Sequence, residues 1–414
     1  MNRASIFSSL MRRINIALVV EAPFPPIARA NLRMYRLYLN LTRKGYRVSM
    51  VSPSFTPFSR YEGVYRGVNV SQYIGLASLL YMSIIRFFVA LFHIVSAIYF
   101  LIRYSKNNDI RVIHAWHPLA GISSVIAAKI TGRKVFLDWT DLYSEIVRHE
   151  SSIMFPVAQW IEGFIAKNAD LILTVSEKMK SIVVGFGASV DKVFVIPDGV
   201  DDEMFNPTID GAELRNKLNL GDCPIAIFHG DIKFIDGVDI LIRAFSLVLK
   251  ELPNSKLLIV GGGRGYFSEV KKLSKDLGIK SSIIFMDWVP HRDIPKIIAA
   301  ADVGVIPLRA TLQTNSYLSF KIFEYWAMGK PVIVSNLISI STIAKNNING
   351  LLVEPENIEK FAKALHTIFS NKEKGKILGK NGRIFVEKNY SWNTIMEQEA
   401  LYYEKVLIRK NNNR

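Results

Sequence analysis

The chain has 414 residues, of which 50% are hydrophobic and 21% charged; this excludes a disordered or fibrous protein and predicts two or three domains of roughly 100–200 residues. A single cysteine, Cys223, excludes a disulfide framework and a multi-cysteine metal cluster, and it suits a reducing compartment. The formal charge of +16 predicts a polyanionic partner: nucleic acid, nucleotide phosphates or an anionic membrane.

The first half of the chain alternates short apolar runs with helical patterns. Strands are predicted at 14–20, 47–51, 112–115, 134–137 and 171–175, and helices at 30–44, 121–131 and 160–168. Such alternation is typical of a parallel sheet covered by helices on both faces. Residues 1–10 are predicted to be a loose extension. No secretory signal is predicted, because the apolar stretch after Arg12-Arg13 is short, ends at Glu21 and lacks a small-residue cleavage site.

The most apolar run of the chain, at 79–102, would form a helix about 36 Å long, and roughly 20 apolar residues suffice to cross a bilayer. Three interpretations are open: a transmembrane helix, a buried core helix, and a helix that is partly buried and partly inserted into a membrane surface. The third is favoured, because the segments on both sides of the run read as parts of one domain. Residues 1–110 also carry 14 Lys and Arg against three Asp and Glu. Cations near the run, including Arg86 on the same helix face as His93, would meet anionic headgroups, each contributing on the order of 1 kcal/mol.

The pattern restarts after residue 200. Strands are predicted at 225–229, 257–260, 283–285, 303–306 and 332–335, and helices at 237–251, 268–277, 292–300 and 321–328. A turn-rich segment, 197–201, separates the halves. We therefore predict an α/β protein with two doubly wound domains. The carboxyl ends of both sheets would face a shared cleft, where open α/β sheets bind ligands.

The segment 319–335 is the most informative part of the sequence. It reads as a helix, a glycine stop at Gly329, and a strand preceded by Lys330-Pro331. Lys321 and Glu324 are three residues apart and share a helix face. Backbone N–H groups near the start of the helix favour phosphate. An ordinary salt-bridged pair on the surface fits the same pattern.

The stretch KIFEYWAMGKPVI, Lys321 to Ile333, resembles the donor-binding helix of retaining glycosyltransferases of family 4, which have the GT-B fold of two Rossmann-like domains facing a central cleft. Further segments resemble this family in the same order, so that the resemblance covers nearly the whole chain: 112–142, 195–205, 228–245, 258–263, 349–355 and 390–392. The resemblance implies three regions. They are an acceptor-side domain at 11–200 with a membrane-associated helix at about 75–105, a donor domain at 201–388, and a C-terminal segment at 389–414 that packs back toward the first domain.

The same resemblance implies transfer of a sugar from a UDP- or GDP-linked donor with retention at the anomeric carbon. Glu324 would hydrogen-bond the ribose hydroxyls, and Lys321 would approach the diphosphate. The loop from Gly230 to Gly237 would pass beside the phosphates, where Gly230 permits close approach of the backbone.

Two departures from the family pattern bear on the donor site. The first of two family glutamates corresponds here to Ser316. The loop GDIKFIDG has Asp231 and Asp236 where the family has arginine and lysine. Because a diphosphate without cations is costly in a partly desolvated cleft, we expect a lysine or arginine to replace them. The candidates are Lys233, Lys321, Arg264 and Arg309.

The acceptor side offers weaker signals. Thr140 stands where many members have histidine. Three carboxylates lie nearby, and each could orient the acceptor hydroxyl or cap a helix: Asp138, Asp141 and Glu145. Asp141 is the catalytic candidate among them. Two histidines at a strand end could contact ligand or lie in the core or a loop: His114 and His117. Arg29 could meet an anionic acceptor.

Other classes of protein fit the sequence less well. A dinucleotide-dependent dehydrogenase is disfavoured because the glycine cluster at 261–265 lacks the third glycine of the fingerprint. Nucleic-acid binding is not predicted, since the positive excess coincides with an apolar run. No metal or cofactor is expected, because no Asp-x-Asp pair follows a strand. The acids of the phosphate loop support one alternative, a non-catalytic or partner-dependent subunit on the same scaffold.

The sequence thus predicts a hexosyltransferase at the cytoplasmic face of the cell membrane, peripheral or monotopic. Its partners would be a nucleotide sugar, a polyprenyl-linked or other saccharide acceptor and the anionic membrane surface.

Overall fold

The computed structural model describes residues 14–24, 32–56, 61–75, 86–116, 118–263 and 265–408. The chain forms two compact units. The first comprises residues up to Pro197 together with the chain from Met396 onward, and the second comprises Asp198–Ile395. The chain therefore passes from the first unit to the second within the turn-rich segment at 197–201.

Within the described residues, the first unit contains an eight-stranded sheet with the order β3-β4-β2-β1-β5-β6-β7-β8. Its strands are β1 Asn15–Val19, β2 Arg47–Pro53, β3 Glu62–Tyr65, β4 Val68–Tyr73, β5 Ile110–Trp116, β6 Lys134–Trp139, β7 Leu171–Thr174 and β8 Val193–Val195. All neighbouring pairs are parallel except β3 and β4. The sequence did not predict this hairpin. Its two-residue turn, Arg66-Gly67, has φ of 48° and 80°, which suits the mirror-image turns that join antiparallel strands.

Several helices of this unit pack against the sheet, and others pack on neighbouring helices. The helices are α1 Leu32–Arg43, α2 Arg86–Asn107, α3 Pro118–Thr131, α4 Tyr143–Glu150, α5 Phe155–Asn168 and α6 Glu177–Gly185. The interior strand β1 is buried along almost its whole length, as strands of covered parallel sheets are.

Helix α2 begins at Arg86, and residues 79–85 of the apolar run lie outside the described residues. Its inner face is buried through Val89, Ala97 and Leu101. Its outer face exposes large apolar side chains: Phe88, Leu91, Phe92, Val95 and Tyr99. The stretch Phe88–Asn107 is long and apolar enough to cross a membrane. Of its most apolar 18 residues, 28% are buried within the protein. A fully buried core helix is therefore the wrong interpretation of residues 88–107.

The second unit contains, among the described residues, a six-stranded parallel sheet with the order β11-β10-β9-β12-β13-β14. Its strands are β9 Ile225–His229, β10 Lys256–Val260, β11 Ile283–Met286, β12 Val303–Ile306, β13 Val332–Ser335 and β14 Leu351–Val353. Its helices are α7 Ala212–Lys217, α8 Val238–Glu251, α9 Tyr266–Asp276, α10 Ile294–Ala300, α11 Leu312–Ser316, α12 Phe320–Ala327, α13 Ile340–Ile343, α14 Ile358–Ser370 and α15 Lys372–Asn389. The last helix, α16 Trp392–Ile408, starts in this unit and continues in the first.

The orientation of α12 is set by two large buried side chains. Tyr325 donates its hydroxyl hydrogen to the carbonyl of Ile227 at 3.1 Å, and the Trp326 indole donates to the carbonyl of Asn349 at 2.6 Å. A Cβ on Gly382 would lie 2.1 Å from the Trp326 ring, so only glycine fits there. These contacts prevent α12 from rotating, and they fix the positions of Lys321 and Glu324.

Candidate functional site

The carboxyl ends of β9 and β10 approach one another closely through glycines. Gly230 follows β9 with φ of 116°, and Gly261 follows β10 with φ of 129°. A Cβ on Gly261 would lie 2.0 Å from the Gly230 carbonyl oxygen. A Cβ on Gly230 would lie 2.9 Å from Cε of Lys321. The start of the 230–237 loop therefore lies directly against the side chain of Lys321.

Glu324 lies between two histidines at this edge of the sheet. Its Oε1 is 2.8 Å from Nε2 of His291, and its Oε2 is 3.3 Å from Nε2 of His229. His229 ends β9 and is buried, whereas the His291 side chain is 29% exposed against 4% for Glu324. A buried carboxylate requires hydrogen-bond donors, and imidazole nitrogens can supply them.

Lys321 neutralises one of the two loop acids. Its Nζ lies 3.1 Å from Oδ1 of Asp236, and both side chains are buried. Oδ2 of Asp236 accepts the backbone N–H of Lys233 at 3.2 Å. Asp236, which stands where the family has a lysine, is thus part of a local ion pair. It does not present an uncompensated negative charge to a ligand.

Lys233 is paired at the surface. Its Nζ lies 3.1 Å from Oδ2 of Asp231, with side chains 64% and 50% exposed. Exposed pairs of this kind contribute at most about 1 kcal/mol. The Lys233–Asp231 pair therefore costs little to break.

Arg309 and Ser316 hold the neighbouring backbone. The Arg309 guanidinium donates to both carboxylate oxygens of Asp239 at 2.9 and 2.7 Å and to the carbonyl of Phe234 at 2.6 Å. Burial alone would raise the pKa of Asp239, but hydrogen bonds from Arg309 and Tyr266 bring it below its ordinary value. Ser316 is buried and donates to the carbonyl of Gln313 at 2.7 Å. For Arg309 to contact phosphate, these bonds would have to be exchanged.

In the first unit, Asp141 follows β6 and is half-buried. The Thr140 hydroxyl donates to its Oδ2 at 3.4 Å. Glu145 lies in the first turn of α4, 3.6 Å from Arg148. Three further candidates lie outside the described residues: Arg29, His117 and Arg264.

Asp138 and His114 belong to a buried network. Arg33 donates from Nε to Asp138, from Nη2 to Glu399 at 3.0 Å, and from Nη1 to the carbonyl of Pro197 at 3.0 Å. His114 hydrogen-bonds the hydroxyl of Tyr403, and burial together with Arg33 lowers the pKa of His114 to about 3.

This network also has the composition of a metal site. His114, Asp138 and Glu399 offer ligand-type atoms within 4.8 Å of one another. The guanidinium of Arg33, however, already supplies a cation to both carboxylates. His114 is therefore a core histidine, and Asp138 serves the interior of the first unit.

His229 and His291 were not identified from the sequence. His229 ends a buried strand, where parallel sheets place their ligand-binding residues, so its position was an available signal. His291 follows Pro290 and begins a short 3₁₀ turn in the connection between β11 and α10, and no spacing relates it to Glu324. Only the folded backbone brings the two together.

Comparisons with known proteins agree with this architecture. Residues 30–204 match Glycosyltransferase Family 4, and residues 223–371 match Glycosyl transferases group 1. HepE of Anabaena, solved in complex with UDP, has a similar fold, with a TM-score of 0.76, 18% identity, and coverage of 95% of this chain and 100% of HepE.

Two relatives are similar in sequence. A GDP-mannose-dependent alpha-(1-6)-phosphatidylinositol monomannoside mannosyltransferase of Mycolicibacterium smegmatis is 28% identical over 246 residues, covering 58% of this chain and 64% of that protein. A UDP-Gal:alpha-D-GlcNAc-diphosphoundecaprenol alpha-1,3-galactosyltransferase of Escherichia coli is 27% identical over 285 residues, covering 67% and 71%. The match to the mannosyltransferase spans slightly less than two thirds of its length. The two family matches and the two-sheet fold agree, and the chain therefore belongs to the GT-B glycosyltransferases of family 4 and group 1.

Proposed function

We propose that the chain is a retaining hexosyltransferase that moves a hexose or N-acetylhexosamine from a UDP- or GDP-linked donor to a polyprenyl-linked saccharide. The observation that supports this proposal is the Glu324 carboxylate, which is buried beside His229 at the carboxyl edge of a parallel sheet. Open α/β sheets bind nucleotides at this edge. The names of the two relatives, which specify GDP-mannose or UDP-Gal and lipid-linked acceptors, support the choice of donor and acceptor.

In this proposal Glu324 binds the donor ribose. A carboxylate has about four lone-pair directions, so Glu324 can accept two ribose hydroxyls while it keeps its histidine contact. Lys233 turns from Asp231 to the diphosphate, and the N-terminus of α12 adds positive potential. Neither metal nor cofactor is required for this neutralisation.

The acceptor hydroxyl oxygen then bonds to the anomeric carbon on the face from which the diphosphate departs. The bond from that carbon to the phosphate oxygen breaks, and its electron pair goes to the diphosphate. A donor phosphate oxygen takes the acceptor proton. Asp141 orients the acceptor hydroxyl, so the Asp141→Asn variant should lower kcat and leave nucleotide affinity unchanged.

Calorimetric titration with UDP and with GDP tests the donor site. The Glu324→Gln variant should bind the preferred nucleotide at least about tenfold more weakly, because a neutral amide accepts the ribose hydroxyls less well. The control is Glu354→Gln, which alters an exposed glutamate paired with Lys360. Absence of binding of either nucleotide to the wild-type chain would favour the alternative, a non-catalytic or partner-dependent subunit.

The exposed face of α2 supports membrane association, which we propose is peripheral or monotopic and on the cytoplasmic side. Co-sedimentation with vesicles that contain anionic phospholipid tests this. Replacing Phe88, Val95 and Tyr99 together by serine should leave the protein in the supernatant. Ile377→Ser, at an exposed isoleucine of the second unit, is the control. Unchanged sedimentation of the triple variant would contradict the proposal.

A further inference from the structure

We propose that His291 is a positioning residue for the donor: it orients the Glu324 carboxylate and forms the accessible part of the surface that meets the ribose. This inference rests on the proposed role of Glu324 as the ribose-binding residue. Neither the resemblance nor the comparisons assign a role to His291.

The geometry distinguishes the two histidines beside Glu324. The His229 ring is buried and packs edge-on against Tyr325, with the ring centroids 5.0 Å apart. The His291 ring packs against Phe205, with centroids 5.3 Å apart, and its side chain is 29% exposed. His291 also makes the shorter contact, 2.8 Å from Nε2 to Oε1, against 3.3 Å for His229.

Accessibility follows from these contacts. The Glu324 side chain is only 4% exposed, and of the two histidines beside it His291 is the exposed one, so a ligand that reaches the carboxylate from the solvent side meets His291. Donation from Nε2 to Oε1 restrains rotation of the carboxylate and leaves other lone pairs for hydroxyl groups. A restrained acceptor loses less freedom when a ligand binds, and this increases affinity.

The backbone around His291 is itself constrained. Pro290 precedes it, and the N–H of Asp293 donates to the Pro290 carbonyl at 2.8 Å, which closes a tight turn. Helix α10 follows at Ile294, with Pro295 in its first turn. The ring therefore sits on a short, ordered connection between β11 and α10, as a positioning role requires.

The experiment compares His291→Ala, His291→Gln and His366→Ala. His366 is a matched control because it also contacts a glutamate, Glu251 at 3.1 Å, but it does so on the surface of α14. Nucleotide Kd by calorimetry, donor KM, kcat and Tm are measured for each variant. We expect His291→Ala to raise Kd and donor KM about tenfold, because an unrestrained Glu324 carboxylate must lose its rotational freedom when the ribose binds. We expect kcat to be unchanged, because the ribose is bound equally in the ground and transition states.

The conservative variant separates positioning from packing. Glutamine retains an N–H donor, so His291→Gln should recover most of the affinity, and Tm of all three variants should stay close to the wild-type value. An unchanged Kd in His291→Ala, or a loss that glutamine does not reverse, overturns the inference.

Glu324→Gln distinguishes this failure from failure of the proposed function. If Glu324→Gln weakens nucleotide binding and His291→Ala does not, only the positioning role is wrong. If Glu324→Gln binds UDP and GDP as the wild type does, Glu324 does not bind the ribose, and the role inferred for His291 is wrong as well.

Discussion

The two units each contain a cluster of carboxylates and histidines, and the clusters differ in accessibility. In the first unit His114, Asp138 and Glu399 are all buried around Arg33. In the second, Glu324 lies between the buried His229 and the partly exposed His291. The residue types are nearly the same. The first cluster receives its cation from within the chain, whereas the second has a path to solvent at the carboxyl edge of a sheet.

The difference shows how similar side chains serve stability or binding. Carboxylates enclosed around a guanidinium have their charge compensated in part within the chain, and burial leaves them no opening for a ligand. Through Glu399, the first cluster also ties α16 to the first sheet. A carboxylate beside a surface histidine can still exchange partners. Substitutions in the first cluster should therefore change stability, and those in the second should change affinity.

The largest expected effect is on the stability of the first cluster. Arg33→Met leaves two buried carboxylates without their cation and should lower the free energy of unfolding by about 3–5 kcal/mol. Urea denaturation measures the change. Lys44→Ala is the control, because Lys44 pairs with Glu397 at the surface and such pairs contribute at most about 1 kcal/mol. If Arg33→Met and Lys44→Ala lowered the free energy of unfolding equally, the first cluster would not have the stabilising role that distinguishes it from the second.

A smaller effect tests the buried pair that Lys321 forms with Asp236 of the 230–237 loop. Lys321→Ala should lower the free energy of unfolding by about 2–3 kcal/mol, because the buried Asp236 loses its counter-charge. Adding Asp236→Ala should restore about 1–2 kcal/mol of this loss. Denaturation of the two single variants and the double variant completes the cycle. Additive losses would show that Lys321 does not act by neutralising Asp236.

The smallest effect concerns acid sensitivity. The pKa of His114 is lowered to about 3 by burial and Arg33, so between its ordinary value near 6.5 and about 3 only the unfolded chain binds this proton. Burying neutral His114 therefore costs no free energy of unfolding above its ordinary pKa. Below that pH the free energy of unfolding falls by about 1.4 kcal/mol per pH unit until about pH 3. Denaturation at pH 6 and pH 5 should show a shallower pH dependence for His114→Phe. A wild-type slope for His114→Phe would contradict this account.

Much of the fold follows from local pattern. The strands at Ile225–His229, Val303–Ile306 and Val332–Ser335 agree with prediction to the residue, because short apolar runs between turn signals are typical of buried parallel strands. The β3–β4 hairpin and β14 were missed. They lie toward the edges of their sheets, and the β3 and β4 segments mix apolar with polar residues, so the apolar signal is weak.

The site was only partly predictable. Spacing along one helix placed Lys321 and Glu324 on a common face, and the resemblance supplied their expected roles. The partners of these residues are distant in sequence: Asp236 lies 85 residues from Lys321, and His291 lies 33 residues from Glu324. No local pattern links such positions.

By itself the sequence determined the two α/β units, the order of most elements and the family, because these depend on periodicity and on contiguous segments. Only the tertiary structure decided which charged groups neutralise one another. It pairs Lys321 with Asp236, the acid that stands where the family has a lysine, and it buries His114 and Asp138 around Arg33. The physical reason is that the net charge at a site depends on distances and burial, which the packing of distant segments sets.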